Sequence, residues 1–302
     1  MTVSLKGRDF LDVWDFNREE LDQILNTADM LKLRHKMGII DQPLKGKTLG
    51  MYFSKASTRT RLSFEVGIYQ LGGYGLFLSA NDLQLRRGES IADTARVFSR
   101  YLDGIMIRTF SHQDVLDLAQ YADIPVINAL TDYSHPCQIM ADVMTIREKK
   151  RHLDGLKMVF VGDGNNVALS IMEAGAKFNM EVVIACPKGY EPKDADLTRT
   201  GARVVYDPVE AVTGADVIYT DVWASMGQEA EAAVRKQHFA PYQVNADLVK
   251  HAKPDYLFMH CLPAHRGEEV TNEVADSINS VIFDEAENRL HAQKAIMALI
   301  MG

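Results

Sequence analysis

Short apolar runs recur along this chain, separated by longer stretches whose apolar residues return every three or four positions. The runs at 49–53, 75–78, 104–108 and 125–128 show little polar alternation, the pattern of strands buried on both faces. A second series follows at 158–161, 182–185, 203–206, 217–219 and 256–259. Strands alternating with helices predict an α/β fold of two similar domains, each a parallel sheet flanked by helices. Ahead of the first strand, Asn17 and Glu20 form a capping box, and Leu21, Ile24, Leu25, Ala28 and Leu31 line one helix face. A helix over 136–150 joins the two series and leaves a cleft beyond the carboxyl ends of their strands, where open α/β sheets bind ligands.

At 302 residues the length suits two domains, and 47% hydrophobic with 25% charged residues is ordinary for a soluble enzyme. No apolar run approaches a membrane span, and the first residues lack the apolar centre of a signal peptide, so a cytoplasmic protein with no membrane partner is expected. Cys137, Cys186 and Cys261 are odd in number and widely spaced, against a disulfide framework or a paired-cysteine zinc site. A net charge of −8 without a long basic block argues against nucleic acid as a partner. The one basic cluster, Lys149-Lys150-Arg151-His152, reads as a solvated helix end.

Chemistry concentrates where strands end. Ser57-Thr58-Arg59-Thr60 falls where the strand 49–53 gives way to a helix marked by Leu62, Val66 and Tyr69. A helix cap needs one hydroxyl; three with an arginine among them read as an anion cradle on unpaired amides and the positive end of the helix dipole. Arg61, four residues before Glu65, reads as a surface ion pair. Arg108 closes a run fit for burial and so needs a polar partner. His135, ahead of Pro136 at a helix entrance, is placed either as a structural histidine or as a donor to a developing oxyanion.

Further along, Cys261 and Leu262 follow a strand within His260-Cys261-Leu262-Pro263. A metal there is disfavoured, because His260, Cys261 and His265 lack the remaining ligands of a structural zinc site. Asp221, with Ser225, Met226 and Gly227 close behind, is suited to a substrate ammonium or to capping its own loop. Gly162-Asp163-Gly164 invites a dinucleotide-binding reading, and hence a nicotinamide oxidoreductase. Val167 fills the third small position, and no ribose-binding acid ends the next strand, which opposes that reading. Asn165 and Asn166 can instead orient an amino-acid headgroup.

Taken together, Ser57-Thr58-Arg59-Thr60-Arg61, His135-Pro136-Cys137-Gln138, Asp221-Val222-Trp223-Ala224-Ser225-Met226-Gly227 and His260-Cys261-Leu262-Pro263 closely resemble the carbamoyltransferases, and among them the ornithine carbamoyltransferases, over nearly the whole chain. The resemblance implies transfer of a carbamoyl group from carbamoyl phosphate to the δ-amine of L-ornithine, without cofactor or metal. It implies a carbamoyl-phosphate-binding domain at 1–134, a linking helix at 135–150, an ornithine-binding domain at 151–285 and a terminal helix at 286–302 returning to the first domain. Ser57, Thr58, Arg59 and Thr60 hold the phosphate in that scheme, with Arg108, His135, Gln138, Cys261, Leu262 and Arg289 around the carbamoyl phosphate, and Arg108, His135, Cys261 and Arg289 taking catalytic roles. Asn166, Asp221, Ser225 and Met226 hold ornithine, and Gln84 enters a neighbouring subunit's site, which implies a homotrimer. Two residues depart from the family pattern: Arg86 stands where glycine is expected, and Leu169 where a polar residue is common. Putrescine, lysine or an acylated ornithine as acceptor, and a non-catalytic amino-acid-binding module, are the remaining alternatives.

Overall fold

Every strand of the computed structural model is parallel to its neighbours, in two sheets belonging to two compact units. It describes residues 3–81, 88–225, 227 and 229–302. The first unit comprises Met1–Met144 and Glu287–Gly302, the second Thr145–Ala286.

In the first unit, β1 (Thr48–Phe53), β2 (Tyr74–Ser79), β3 (Gly104–Arg108) and β4 (Val126–Leu130) lie in the order β2-β1-β3-β4. Helices α1 (Arg18–Lys36), α2 (Thr58–Gln70), α3 (Ile91–Tyr101) and α4 (His112–Tyr121) belong to this unit, and α5 (Pro136–Lys150) begins in it. The capping box on α1 is present, and its apolar stripe is buried. Register brings Phe53 beside Ser79 and Arg108, and Arg108 beside Leu130, so the strands end level. Chain order reverses between β1 and β3. Segments leaving those two strands therefore flank the switch point of the sheet, the place where such sheets bind ligands.

The second unit orders β5 (Lys157–Val161), β6 (Glu181–Ala185), β7 (Arg203–Val205), β8 (Val217–Thr220) and β9 (Leu257–His260) as β7-β6-β5-β8-β9. Its helices are α6 (Asn166–Phe178), α7 (Asp194–Thr200), α8 (Pro208–Val212), α9 (Ala232–Phe239), α10 (Ala246–Val249), α11 (Asn272–Ala275) and the start of α12 (Ile282–Met301). Here β5 and β8 flank the switch point. The final strand runs one residue later than its apolar pattern indicates and carries His260 inside the sheet, almost wholly buried. The basic end of α5 also differs from expectation. Lys149 pairs with Asp284 at 2.9 Å and Lys150 with Asp255 at 2.8 Å, because acidic residues distant in sequence fold against these cations.

Candidate functional site

Ser57 has extended backbone and caps α2, its hydroxyl accepting the Thr60 amide at 3.3 Å. The side chain of Thr60 then becomes a meeting point. Its Oγ1 lies 3.1 Å from Ser57 Oγ and accepts from Arg289 Nη2 at 2.8 Å and from Arg108 Nη1 at 3.4 Å. Thr60, Arg108 and Arg289 are all buried, so two guanidiniums converge on one hydroxyl away from solvent. Next to Thr60 in sequence, Arg59 makes no side-chain hydrogen bond to any described residue, and its Nε is sealed from solvent. Arg61 pairs with Glu65 at 3.2 Å, as expected, and also stacks over Phe77.

His135 is buried beside these cations. Desolvation, then the charges of Arg289, Arg108 and Lys55, push its imidazole well below the ordinary range, which leaves it neutral. Gln138 turns along α5 and donates to Asp142 at 2.8 Å. Cys137 donates to the Asn128 carbonyl at 3.3 Å; burial pushes its thiol up to about 12, which makes it a packing residue. Sequence reasoning missed Lys55. It is 5% exposed, pairs with Asp132 at 3.0 Å and lies over the Phe110 ring, joining the segment after β1 to the turn that delivers His135. Its only signal is its position, between a buried strand and a cap.

In the second unit Asp221 follows β8, buried, with both oxygens used. Oδ1 accepts from Cys261 Sγ at 3.2 Å and from the Val222 amide at 2.8 Å, and Oδ2 from Asn165 Nδ2 at 3.3 Å. Asn165 Oδ1 caps α6 through the Val167 and Ala168 amides. Asn165 is thus the asparagine tied to Asp221, while Asn166 opens the helix beside it, half-buried. Ser225 is half-buried in the segment after Asp221, and Leu169 is buried within α6. Gln84, Arg86 and Met226 lie outside the described residues.

His260 sets the conformation of the segment after β9. Its Nδ1 accepts the Leu262 amide at 2.9 Å, so its proton sits on Nε2 and is donated to Glu269 at 3.0 Å. Leu262 has φ of 60°, a left-handed conformation costly for a branched residue and held here by that bond. Asp221, His260 and Cys261 present potential ligand atoms within 4.8 Å of one another, but both histidine nitrogens are already committed to protein partners, which fits a hydrogen-bonded group better than a metal site. Arg235 is a second residue that the sequence did not expose. It binds Asp163 at 2.7 Å and the Trp223 carbonyl at 3.1 Å, tying the segment after β5 to that after β8.

Residues 8–148 match the family model described as the carbamoyl-P binding domain of aspartate/ornithine carbamoyltransferase, and residues 154–300 match the Asp/Orn binding domain of the same family. The ornithine carbamoyltransferase of Thermococcus kodakarensis is 65% identical, covering 100% of this chain and 99% of that one. The anabolic ornithine carbamoyltransferase of Pyrococcus furiosus is 61% identical over 100% of this chain and 99% of its own. The solved structure of the ornithine carbamoyltransferase from Pyrococcus furiosus superposes with a TM-score of 0.95, at 61% identity and with 100% and 99% of the two chains covered.

Proposed function

The chain belongs to the aspartate/ornithine carbamoyltransferase family, and we propose that it carries the carbamoyl group of carbamoyl phosphate to the δ-amine of L-ornithine, releasing L-citrulline and phosphate. The observation that carries this reading is the cradle at the start of α2: Arg108 and Arg289 meet on Thr60, and Arg59 is left unclaimed by any described carboxylate. A cation kept partly buried without a protein partner is unfavourable unless an anion completes it.

In this reading the phosphate sits on Ser57, Thr58, Arg59 and Thr60, and Arg108, His135, Gln138 and Arg289 serve its remaining oxygens and the carbamoyl oxygen. The amine nitrogen bonds to the carbonyl carbon, the carbonyl oxygen takes up negative charge, and the bond to the phosphate oxygen breaks with its electron pair leaving on phosphate. The amine's surplus proton is released. Neutral His135 is a donor that keeps its proton, and the nearby cations favour the oxyanion. A mixed anhydride already carries its leaving group, so the reaction needs neither metal nor cofactor. Asp221, with Asn166, Ser225 and Met226, holds ornithine through its α-ammonium and neighbouring polar atoms, and Cys261 and Leu262 serve the reacting amine. The first unit is accordingly the carbamoyl-phosphate half and the second the ornithine half.

We assign the enzyme to the cytoplasm, in the synthetic direction, as a homotrimer to which Gln84 contributes across a subunit boundary. Among the described residues no helix is long and apolar enough to cross a membrane. Support for association is the edge strand β2 with its neighbours, where Tyr74, Phe77, Leu62 and Tyr101 are exposed. Sedimentation is expected to give three chains per particle or a multiple of three. Colorimetric detection of citrulline tests the reaction. Product is expected from ornithine, with putrescine, lysine and N-acetylornithine at least about a hundredfold poorer, and Asp221→Ala is expected to raise KM for ornithine far more than for carbamoyl phosphate. Equal use of putrescine would overturn the choice of acceptor.

A further inference from the structure

At the far end of α2 from the cradle, the first unit contains a cavity of about 430 Å³. Its walls include Leu31, Ile40, Asp41, Tyr69, Gln70 and Lys294. Lys294 decides what the cavity suits. The residue is 4% exposed, and its ammonium donates to one described acceptor, Gln70 Oε1, at 2.9 Å. An ammonium has three donors, so two remain for a ligand. Desolvation lowers the lysine below its usual range, the mark of a cation short of compensation, and Asp41 opposes that shift only from a distance. Asp41 is itself engaged, with both oxygens on Arg34 Nε at 2.9 and 2.8 Å. Counting Arg34, Asp41 and Lys294, one positive charge remains. Part of the wall around it is apolar, formed by Leu31, Ile39, Ile40 and Tyr69, and of these Ile40 and Tyr69 are exposed side chains that no packing role in this unit explains.

We propose that this cavity is a binding site for a small organic carboxylate with an apolar or aromatic body, the carboxylate accepting from Lys294 and the body covering Tyr69 and Ile40. An inorganic anion satisfies the charge but leaves the apolar wall wet. Location gives the site a use. Helices α2 and α12 are joined by Arg289 to Thr60 near the cradle and by Lys294 to Gln70 at the cavity, and they also pack closely at Gly67, where a Cβ would fall 3.0 Å from Met297 Cε. A ligand that draws Lys294 from Gln70 alters one of the described bonds between α12 and the helix that carries the cradle.

Benzoate is the probe, with benzamide as its neutral counterpart, titrated by calorimetry or ligand-observed NMR against the full-length protein. Saturable binding of one benzoate per chain is expected, weakened at least about tenfold for benzamide and in Lys294→Met, and retained in Arg59→Ala. Gln42→Trp, a change at an exposed wall residue that fills the cavity, is expected to give the same loss and decides the matter if Lys294→Met does not fold. The proposal is overturned by absence of saturable binding, by equal binding of benzamide, by indifference to Gln42→Trp, or by loss in Arg59→Ala, which places the benzoate in the cradle.

Discussion

Arg59 and Arg61 stand two residues apart at the start of one helix and meet opposite fates. Arg61 spends its charge on Glu65 and on the face of Phe77, whereas the buried Nε of Arg59 meets no hydrogen-bond partner among the described residues, which supports the proposed phosphate contact. Arg59→Ala is therefore expected to cost at least about 3 kcal/mol in kcat/KM for carbamoyl phosphate, roughly a hundredfold or more, with an unchanged circular dichroism spectrum. Arg61→Ala is expected to move chemical stability by no more than about 0.5 kcal/mol, measured by urea titration. His135 bears on the pH profile by what it does not do. Because its imidazole is pushed well below the ordinary range, it stays neutral through the region where a normal histidine gains a proton, and no acid limb appears there. The ornithine amine controls the profile instead. With an ordinary value of about 10.4 for such an amine, kcat/KM for ornithine is expected to climb nearly tenfold per unit from about pH 6.5 to 8.5 when chemistry limits the rate. A level profile under those conditions would count against attack by the neutral amine. The cap at Ser57 was legible because capping chemistry is local. Lys55 and Arg235 were not, since a solitary cation in a sequence reads as surface until its remote partner, Asp132 or Asp163, folds against it. Nor does an Asn-Asn pair announce which member caps the helix and which begins it.

Among the elements, strands were the easier to read. Both sheets are built from the nine runs that the apolar pattern marks, with ends displaced by a residue or two, because a strand buried on both faces has few polar positions to confuse it. Helix α2 was different. Leu62, Val66 and Tyr69 reveal its period yet face outward, and its buried side is Thr60, Phe64, Gly67 and Ile68. Period is a property of one helix, whereas the buried side depends on what packs against it. Close backbone approach was also hidden. A Cβ on Gly164 falls 2.6 Å from the Glu191 carbonyl carbon and also strikes the Pro192 nitrogen, so the segment between β5 and α6 has no room for a side chain. Gly164→Ala is expected to destabilise the protein by about 2–3 kcal/mol and to raise KM for ornithine, read from urea midpoints and steady-state rates.

For the whole molecule, acid is the expected weakness. His291 is 1% exposed, and burial, helped by Lys294 and Lys32, brings its imidazole down from 6.5 to about 4. As pH falls below 6.5 the unfolded chain takes up a proton at this residue before the folded one does, so stability declines until about pH 4 and then levels. Urea midpoints are expected to drop across that window, and His291→Gln to make the decline shallower by roughly one proton's worth of slope. Both sheets also share a plan. Each reverses chain order once and hangs its polar groups on the segments flanking that reversal, Ser57 to Thr60 after β1 in one and Asp221 after β8 in the other. Under the proposed function, most of the phosphate contacts and the ammonium contact are thus written in separate paragraphs of the same chain. On that reading, gene libraries confined to residues 222–256, which leave Cys261, Leu262 and Arg289 in place, are expected to explore new acceptors while the phosphate pocket is inherited intact, a modularity that lets one scaffold diversify without first losing its donor.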